Sequence, residues 1–167
     1  QAAIAFINHR ILPSHLAWAV GMADNPRPAA PLDLRCMGDE VTVLMVAEKP
    51  SIANTLASAL GGRDVRRRKG VAPRSPVYEY EGSFLGANAK FKVTSTFGHI
   101  YELDFAEEYN TWHKTEPVEL FKAPVAKKFN SEAKLRDHLA QEAKGADVLV
   151  LWLDCDREGE NICFEVI

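Results

Sequence analysis

Three cysteines, Cys36, Cys155 and Cys163, are all that this 167-residue chain contains. Their spacing offers neither the paired ligands of a zinc site nor a disulfide framework, so reduced thiols are expected. Long apolar runs are also missing. "LAWAVGMA", the longest near the N-terminus, is far short of the roughly 20 residues a membrane span needs, so no membrane partner is expected. Net charge is small, −3 at pH 7, and names no partner by itself. No internal repeat or low-complexity tract occurs. What remains is a globular composition, 47% hydrophobic and 26% charged, in a chain long enough for one domain with a real core.

Residues 1–36 carry Pro13, Pro26, Pro28 and Pro31 without regular periodicity. Met37 then opens "MGDEVTVLMVAEKP", which reads like a natural start. The expectation is an extension, 1–36, outside a fold that occupies 37–167. A transit peptide is the weaker alternative, because arginines are few.

"VTVLMVA" (41–47) is a continuous apolar, β-branched run, as expected for a strand covered on both faces. "EKPS" follows, then a helix in which Ile52, Leu56, Ala59 and Leu60 share a face and Gly61–Gly62 make the end. "VYEYEGSF" and "FKVTSTF" read as strands separated by turn residues Gly86 and Asn88. Residues 101–130, with Pro117 and Pro124, show no clear period and are expected to be irregular and surface-spanning. "SEAKLRDHLAQEAKG" predicts a helix with Ser131 as its N-cap and Gly145 as its stop. "ADVLVLWLDCD" is a second buried strand, followed by the helix "GENICFEVI". Strand–helix units of this kind predict an α/β fold with a mainly parallel sheet flanked by helices. Ligands of such sheets gather at the carboxyl ends of the strands. Glu48 occupies one such end, and Asp154 and Asp156 the other.

The second strand ends in Asp154, Asp156, Glu158 and Glu160, four carboxylates within seven positions. Two carboxylates about 4 Å apart repel by about 4 kcal/mol at an effective dielectric near 20. Protons, basic side chains such as Arg157 and Lys49, or a cation must offset that. A hard divalent ion suits oxygen ligands, and alternation along an extended strand end would point Asp154 and Asp156 the same way. A solvated loop whose acids favour a helix N-terminus is the competing reading.

These segments carry a resemblance. "VLMVAEKPS" (43–51), "TSTFGHIYELDF" (94–105) and "WLDCDREGENICFEV" (152–166) resemble the three signature regions of the Toprim domain of type IA DNA topoisomerases, the topoisomerase III branch of eukaryotes in particular. "YNTWHKTEPVELF" (109–121) is similar to its beta type, while "RRRKG" (66–70) is similar to the alpha type as well. The resemblance covers about residues 41–167. It implies a Toprim-type, Rossmann-like sheet truncated at its C-terminal end. It implies that Glu48 is the general acid/base near the scissile phosphate and that Lys49 holds that phosphate. Asp154 and Asp156 match the Mg2+-binding pair and Glu158 the acid that supports it. Arg157 and Glu160 match partners just outside those ligands. Such enzymes cut one DNA strand, leave a tyrosine on the 5′ phosphate, pass another strand and reseal. The resemblance places that tyrosine in a later domain, so this stretch is expected not to relax DNA alone. It implies single-stranded DNA as substrate with RNA left open, an OB-fold or Tudor-type companion protein, and a nuclear location with the cytoplasm as second compartment.

Glu48, standing among other acids, is expected to hold its proton more readily than a free glutamate. Arg66, Arg67, Arg68 and Lys69 are expected in a turn-rich stretch, either contacting a DNA backbone or simply solvated. His99, where the family also carries a histidine, either lines the site or is a satisfied structural residue. His113 and His138 are expected at the surface, Trp152 in the core, and Cys155 turned away from the acids into packing. Rival readings of the acids are a Toprim nuclease or primase, a sugar-nucleotide transferase using D-x-D, and a haloacid-dehalogenase-type phosphatase. A module that binds without chemistry is the last.

Overall fold

The computed structural model describes residues 7–8, 40–111, 113–129 and 134–167. Strands and helices follow in the order β1 (Ile7–Asn8), β2 (Glu40–Ala47), α1 (Pro50–Gly61), β3 (Arg66–Arg68), β4 (Val77–Phe84), β5 (Ala87–Ser95), β6 (Tyr101–Phe105), β7 (Val125–Phe129), α2 (Leu135–Glu142), β8 (Val148–Trp152) and α3 (Arg157–Val166). Of the expected extension, only β1 is described, and it pairs antiparallel with β8. The rest of 1–36, and the boundary drawn after it, lie outside the described residues.

β2 owes its central place to its two apolar faces. Val41, Val43, Met45 and Ala47 pack with Ala53 and Ala57 of α1. Leu44 and Val46 face the other way, against Leu135 and Leu139 of α2 and Ile162 of α3. Each wholly buried valine contributes about 1.5–3 kcal/mol by leaving water. With both faces covered, both edges of β2 are free to pair. It runs parallel to β5 (Ala47 beside Ser95) and parallel to β8 (Ala47 beside Trp152). The larger sheet has the order β1-β8-β2-β5-β4-β3, with antiparallel strands toward its margins. The α/β architecture expected from the sequence is therefore present: a mostly parallel central sheet with helices on both faces.

Several local expectations change. Residues 101–130 are not wholly irregular: β6 and β7 form an antiparallel ribbon, Tyr101 opposite Phe129 and Phe105 opposite Val125. Both faces of β7 are exposed, so no alternation marks it. Ser131 lies outside the described residues, and α2 is described from Leu135, ending before Gly145. Arg66–Arg68 form an edge strand on β4 rather than a loop.

His138 is wholly buried, not at the surface. Its Nε2 lies 2.7 Å from Thr94 Oγ1. Gly70 makes room for it, since a Cβ there would stand 2.6 Å from His138 Nδ1 and 2.6 Å from the Ser75 carbonyl oxygen. Beside it, the Arg68 guanidinium bonds both carboxylate oxygens of buried Glu142 and, at 2.6 Å, Oε1 of Glu79.

Candidate active site

Parallel pairing brings the ends of β2, β5 and β8 to one edge, and Glu48 is the first residue beyond β2. Its N–H donates to the Trp152 carbonyl at 3.3 Å, and its carbonyl accepts from Phe97 N at 3.0 Å. Thr96 Oγ1 donates to the same carbonyl at 3.2 Å. The Glu48 main chain is thus tied to both neighbouring strands. Its half-buried side chain points to the site, with Oε1 2.9 Å from Lys49 Nζ and Oε2 accepting from Asp154 N at 3.4 Å.

Lys49 is the N-terminal boundary of α1, and Pro50, which lacks an N–H, opens the helix where none is needed. Its ammonium is exposed. The Glu48 carboxylate raises its pKa first, and Asp154 and Glu158 add to this. The reciprocal effect corrects the expectation for Glu48. The Lys49 hydrogen bond, more than the opposing burial, holds the Glu48 carboxyl below its ordinary value, and the Asp154 N–H adds to that. Glu48 is accordingly a carboxylate here, not a proton-retaining acid. One cation at hydrogen-bond distance outweighs the burial of the carboxyl.

Asp154 and Asp156 do not share one extended strand end. β8 stops at Trp152, Leu153 is buried, and the chain turns into α3 with Asp156 as N-cap. Asp156 Oδ1 accepts from Gly159 N at 2.7 Å. The capping reading of this acid is therefore realised in the fold. Gly159 is required by close approach, because a Cβ there would collide with the Asp154 carbonyl oxygen and lie 3.0 Å from its carbon. Cys155, expected in packing, is exposed in this turn. Trp152 is partly buried against the α1-side core, and its buried indole N–H has no hydrogen-bond partner among the described residues.

Glu158, in the first turn of α3, places Oε1 3.7 Å from His99 Nε2. His99 Nδ1 lies 3.1 Å from Glu165 Oε1. Glu165 is a site residue that the sequence reading missed. Its carboxylate accepts from Ile100 N at 2.8 Å and from Asn161 Nδ2 at 2.9 Å, so it ties α3 to the chain after β5. The i, i+3, i+7 spacing of Glu158, Asn161 and Glu165 on one helix face was the available signal.

Arg157 and Glu160 are exposed on α3. Among the basic residues, Arg66, Arg67 and Lys69 are exposed, while Arg68 is committed to Glu142 and Glu79. Arg67 and Lys69 line a groove with Arg74 and with Pro50, Ser51 and Asn54 at the start of α1.

The donors at this edge are carboxylate oxygens from two strand ends and one helix start, with a single lysine among them. That set suits a hard divalent ion. Among the described residues, no three such side chains already stand close enough to hold one together. Asp156 uses one oxygen as a cap, and Lys49 occupies the charge of Glu48.

This fold, with acids at the ends of its parallel strands, defines a Toprim domain. The Toprim domain model matches residues 43–167, and the chain belongs to that family. It is homologous to the type IA topoisomerase 3 proteins, and the nuclease, primase and transferase readings are not favoured. It is 57% identical over 127 residues to DNA topoisomerase 3-beta of Oryza sativa subsp. japonica, covering 75% of this chain and 14% of the relative. It is 49% identical over 128 residues to DNA topoisomerase 3-beta-1 of Homo sapiens, 75% of this chain and 15% of the relative. With DNA topoisomerase 3-alpha of Arabidopsis thaliana the identity is 44% over 131 residues, 78% of this chain and 14% of the relative. The chain thus spans about one-seventh of the length of these relatives. Toprim domains of topoisomerases are generally metal-dependent.

Proposed function

We propose that this chain supplies the acid–base and ion-binding half of a type IA topoisomerase III centre, which cuts, passes and rejoins single DNA strands. The observation that carries this reading is the meeting of two parallel strand ends, with Asp154 N 3.4 Å from Glu48 Oε2 and Lys49 Nζ 2.9 Å from Oε1.

Lys49 binds a non-bridging oxygen of the scissile phosphate. In doing so it exchanges its contact with Glu48 for one with the phosphate. Glu48 then loses the cation that lowers its pKa and gains an anion nearby, and its proton affinity rises. It can then take up a proton from solvent, give it to the leaving 3′ oxygen as the P–O bond breaks, and take it back on resealing. Asp154, Asp156 and Glu158 would hold the ion, read as Mg2+, once their side chains converge on it. When bound, that ion offsets charge on the phosphate oxygens. Arg157 and Glu160 flank these ligands on α3, and Glu165 fixes His99 against Glu158.

The nucleophile comes from another part of the protein. Tyr78 is buried, and burial pushes the Tyr80 hydroxyl up to about 12. Tyr101 packs on Phe129, 4.8 Å between ring centroids. Arg66, Arg67 and Lys69 contact the strand's phosphates. Single-stranded DNA is the substrate, with RNA the competitor to measure beside it. Kinship with topoisomerase 3 proteins supports a nuclear site of action, with the cytoplasm second, and an OB-fold or Tudor-type companion. Among the described residues, no helix is long and apolar enough to cross a membrane.

The test is a chimera in which this chain replaces the matching segment of rice topoisomerase 3-beta. Relaxation of negatively supercoiled DNA should survive the swap, and be lost with Glu48→Gln and with Asp154→Ala/Asp156→Ala. A folded chimera without activity, or one indifferent to Glu48→Gln, overturns the reading.

A further inference from the structure

Phe97 combines exposure with backbone strain. It follows β5 with φ of +57°, a left-handed conformation that bulky residues rarely adopt, and remains 46% exposed. It belongs to neither core cluster. The strained residue is tied to the acid centre, because Phe97 N donates to the Glu48 carbonyl at 3.0 Å and Thr96 N to the Ala47 carbonyl at 2.9 Å. Strain of this kind persists only where the surroundings enforce it, and it concentrates at binding sites.

The ring has a cationic partner, with the Arg74 guanidinium carbon 5.0 Å from its centroid. Arg74 lines the groove that holds Arg67 and Lys69. Phe97 lines a second groove with His99, Tyr101 and Lys127, where Lys127 Nζ stands 5.3 Å from the Tyr101 ring centre. The Phe97–Arg74 pair therefore joins a groove lined by cations to one lined by flat rings and Lys127. That is the chemistry of single-strand recognition: cations follow the phosphates, and bases stack on rings whatever their sequence.

We propose that Phe97 is the stacking platform for the nucleobase next to the phosphate handled by Glu48 and Lys49, with Arg74 holding the adjoining phosphate. This rests on the nucleic-acid reading above and adds a positioning residue to it. The ring orients a nucleotide over the acids without itself moving a proton.

Fluorescence anisotropy tests this with the full chain, a labelled oligothymidylate and an abasic oligonucleotide of the same length, over a salt series. Phe97→Ala should weaken oligothymidylate binding about tenfold, the effect of losing one stacked base. Its salt dependence should not change, because the ring neutralises no phosphate. Phe97→Trp should restore binding, whereas Phe97→Leu, which keeps apolar bulk without a flat ring, should not. On the abasic strand, wild type and Phe97→Ala should bind alike. Arg74→Ala should weaken both oligonucleotides and reduce the salt slope by about 0.7. If wild type binds and Phe97→Ala binds equally well, the platform is overturned while the nucleic-acid reading stands. Equal loss in the Ala and Trp variants also overturns stacking. Wild type that binds neither strand at low salt overturns both readings.

Discussion

The main-chain N–H of Asp154 lies 3.4 Å from the carboxylate of Glu48, across 106 positions of sequence. Only the parallel pairing of β8 with β2 makes that meeting possible.

Removing Lys49 should raise the pKa of Glu48. The lysine is the largest cause of the depressed value, so Lys49→Gln leaves burial, which acts in the opposite direction, with less to oppose it. Carboxyl-carbon NMR titration of the Glu48 side chain reads this directly. An unchanged or lower midpoint in Lys49→Gln would show that the contact at 2.9 Å does not set the charge of Glu48.

Asp156 has two duties that substitution can separate. Asp156→Ala removes the cap of α3 and should cost about 1 kcal/mol in chemical denaturation. Asp156→Ser keeps a capping oxygen and should restore most of that stability. Neither should retain wild-type Mg2+ affinity, followed by Trp152 fluorescence. A Ser variant that binds the ion like wild type would reduce Asp156 to a helix cap.

Gly159→Ala forces a methyl group into the Asp154 carbonyl. Overpacking of this kind costs about 1–3 kcal/mol. The larger effect should fall on the ion, because the displaced backbone carries Asp154. A variant that melts like wild type and titrates with Mg2+ unchanged would show that α3 and the β8 end yield freely.

The buried network beneath the sheet should set acid sensitivity. Burial lowers the pKa of His138 below 6.5, so the unfolded chain binds its proton first and stability falls as pH drops through 6.5 toward the folded value. Glu142 also has a lowered pKa. Burial opposes this, but the Arg68 hydrogen bonds and charge outweigh it, so its contribution is present above about 4.5 and lost below, through the folded value. Melting temperature against pH should show two successive declines, and His138→Gln should remove only the upper one. Arg68→Ala strands a carboxylate whose side chain is 2% exposed and should cost about 3 kcal/mol at neutral pH. A variant within error of wild type would mean that Glu142 finds another partner.

The sheet was readable where apolar residues run unbroken. β4 coincides with "VYEYEGSF", and α1 begins at Pro50 and ends at Gly61 as its punctuation indicates. The acids that meet at the edge were readable as types and spacings. What escaped depends on partners far away in sequence or on single atoms. His138 is internal because Thr94 Oγ1, 44 positions away, gives its Nε2 a hydrogen-bond partner. Asp156 turns to a cap because one N–H lies within its reach, and the Glu48 pKa is lowered because its neighbour's flexible side chain folds back on it. The β6–β7 ribbon left no mark because solvent lies on both sides of β7.

The double tether on the Glu48 main chain divides the mechanics of this edge into an anvil and a clamp. The glutamate cannot shift without unzipping hydrogen bonds to β8 and to the chain leaving β5. Asp156 and Glu158 stand at the start of a ten-residue helix that buried Ile162 and the Glu165 carboxylate hold to the core and to Ile100, so the freedom left there belongs to side chains. On the proposed function, adjustment to an ion or to a passing strand therefore falls to mobile side chains such as exposed Lys49 and Glu158, while the Glu48 main chain keeps its place.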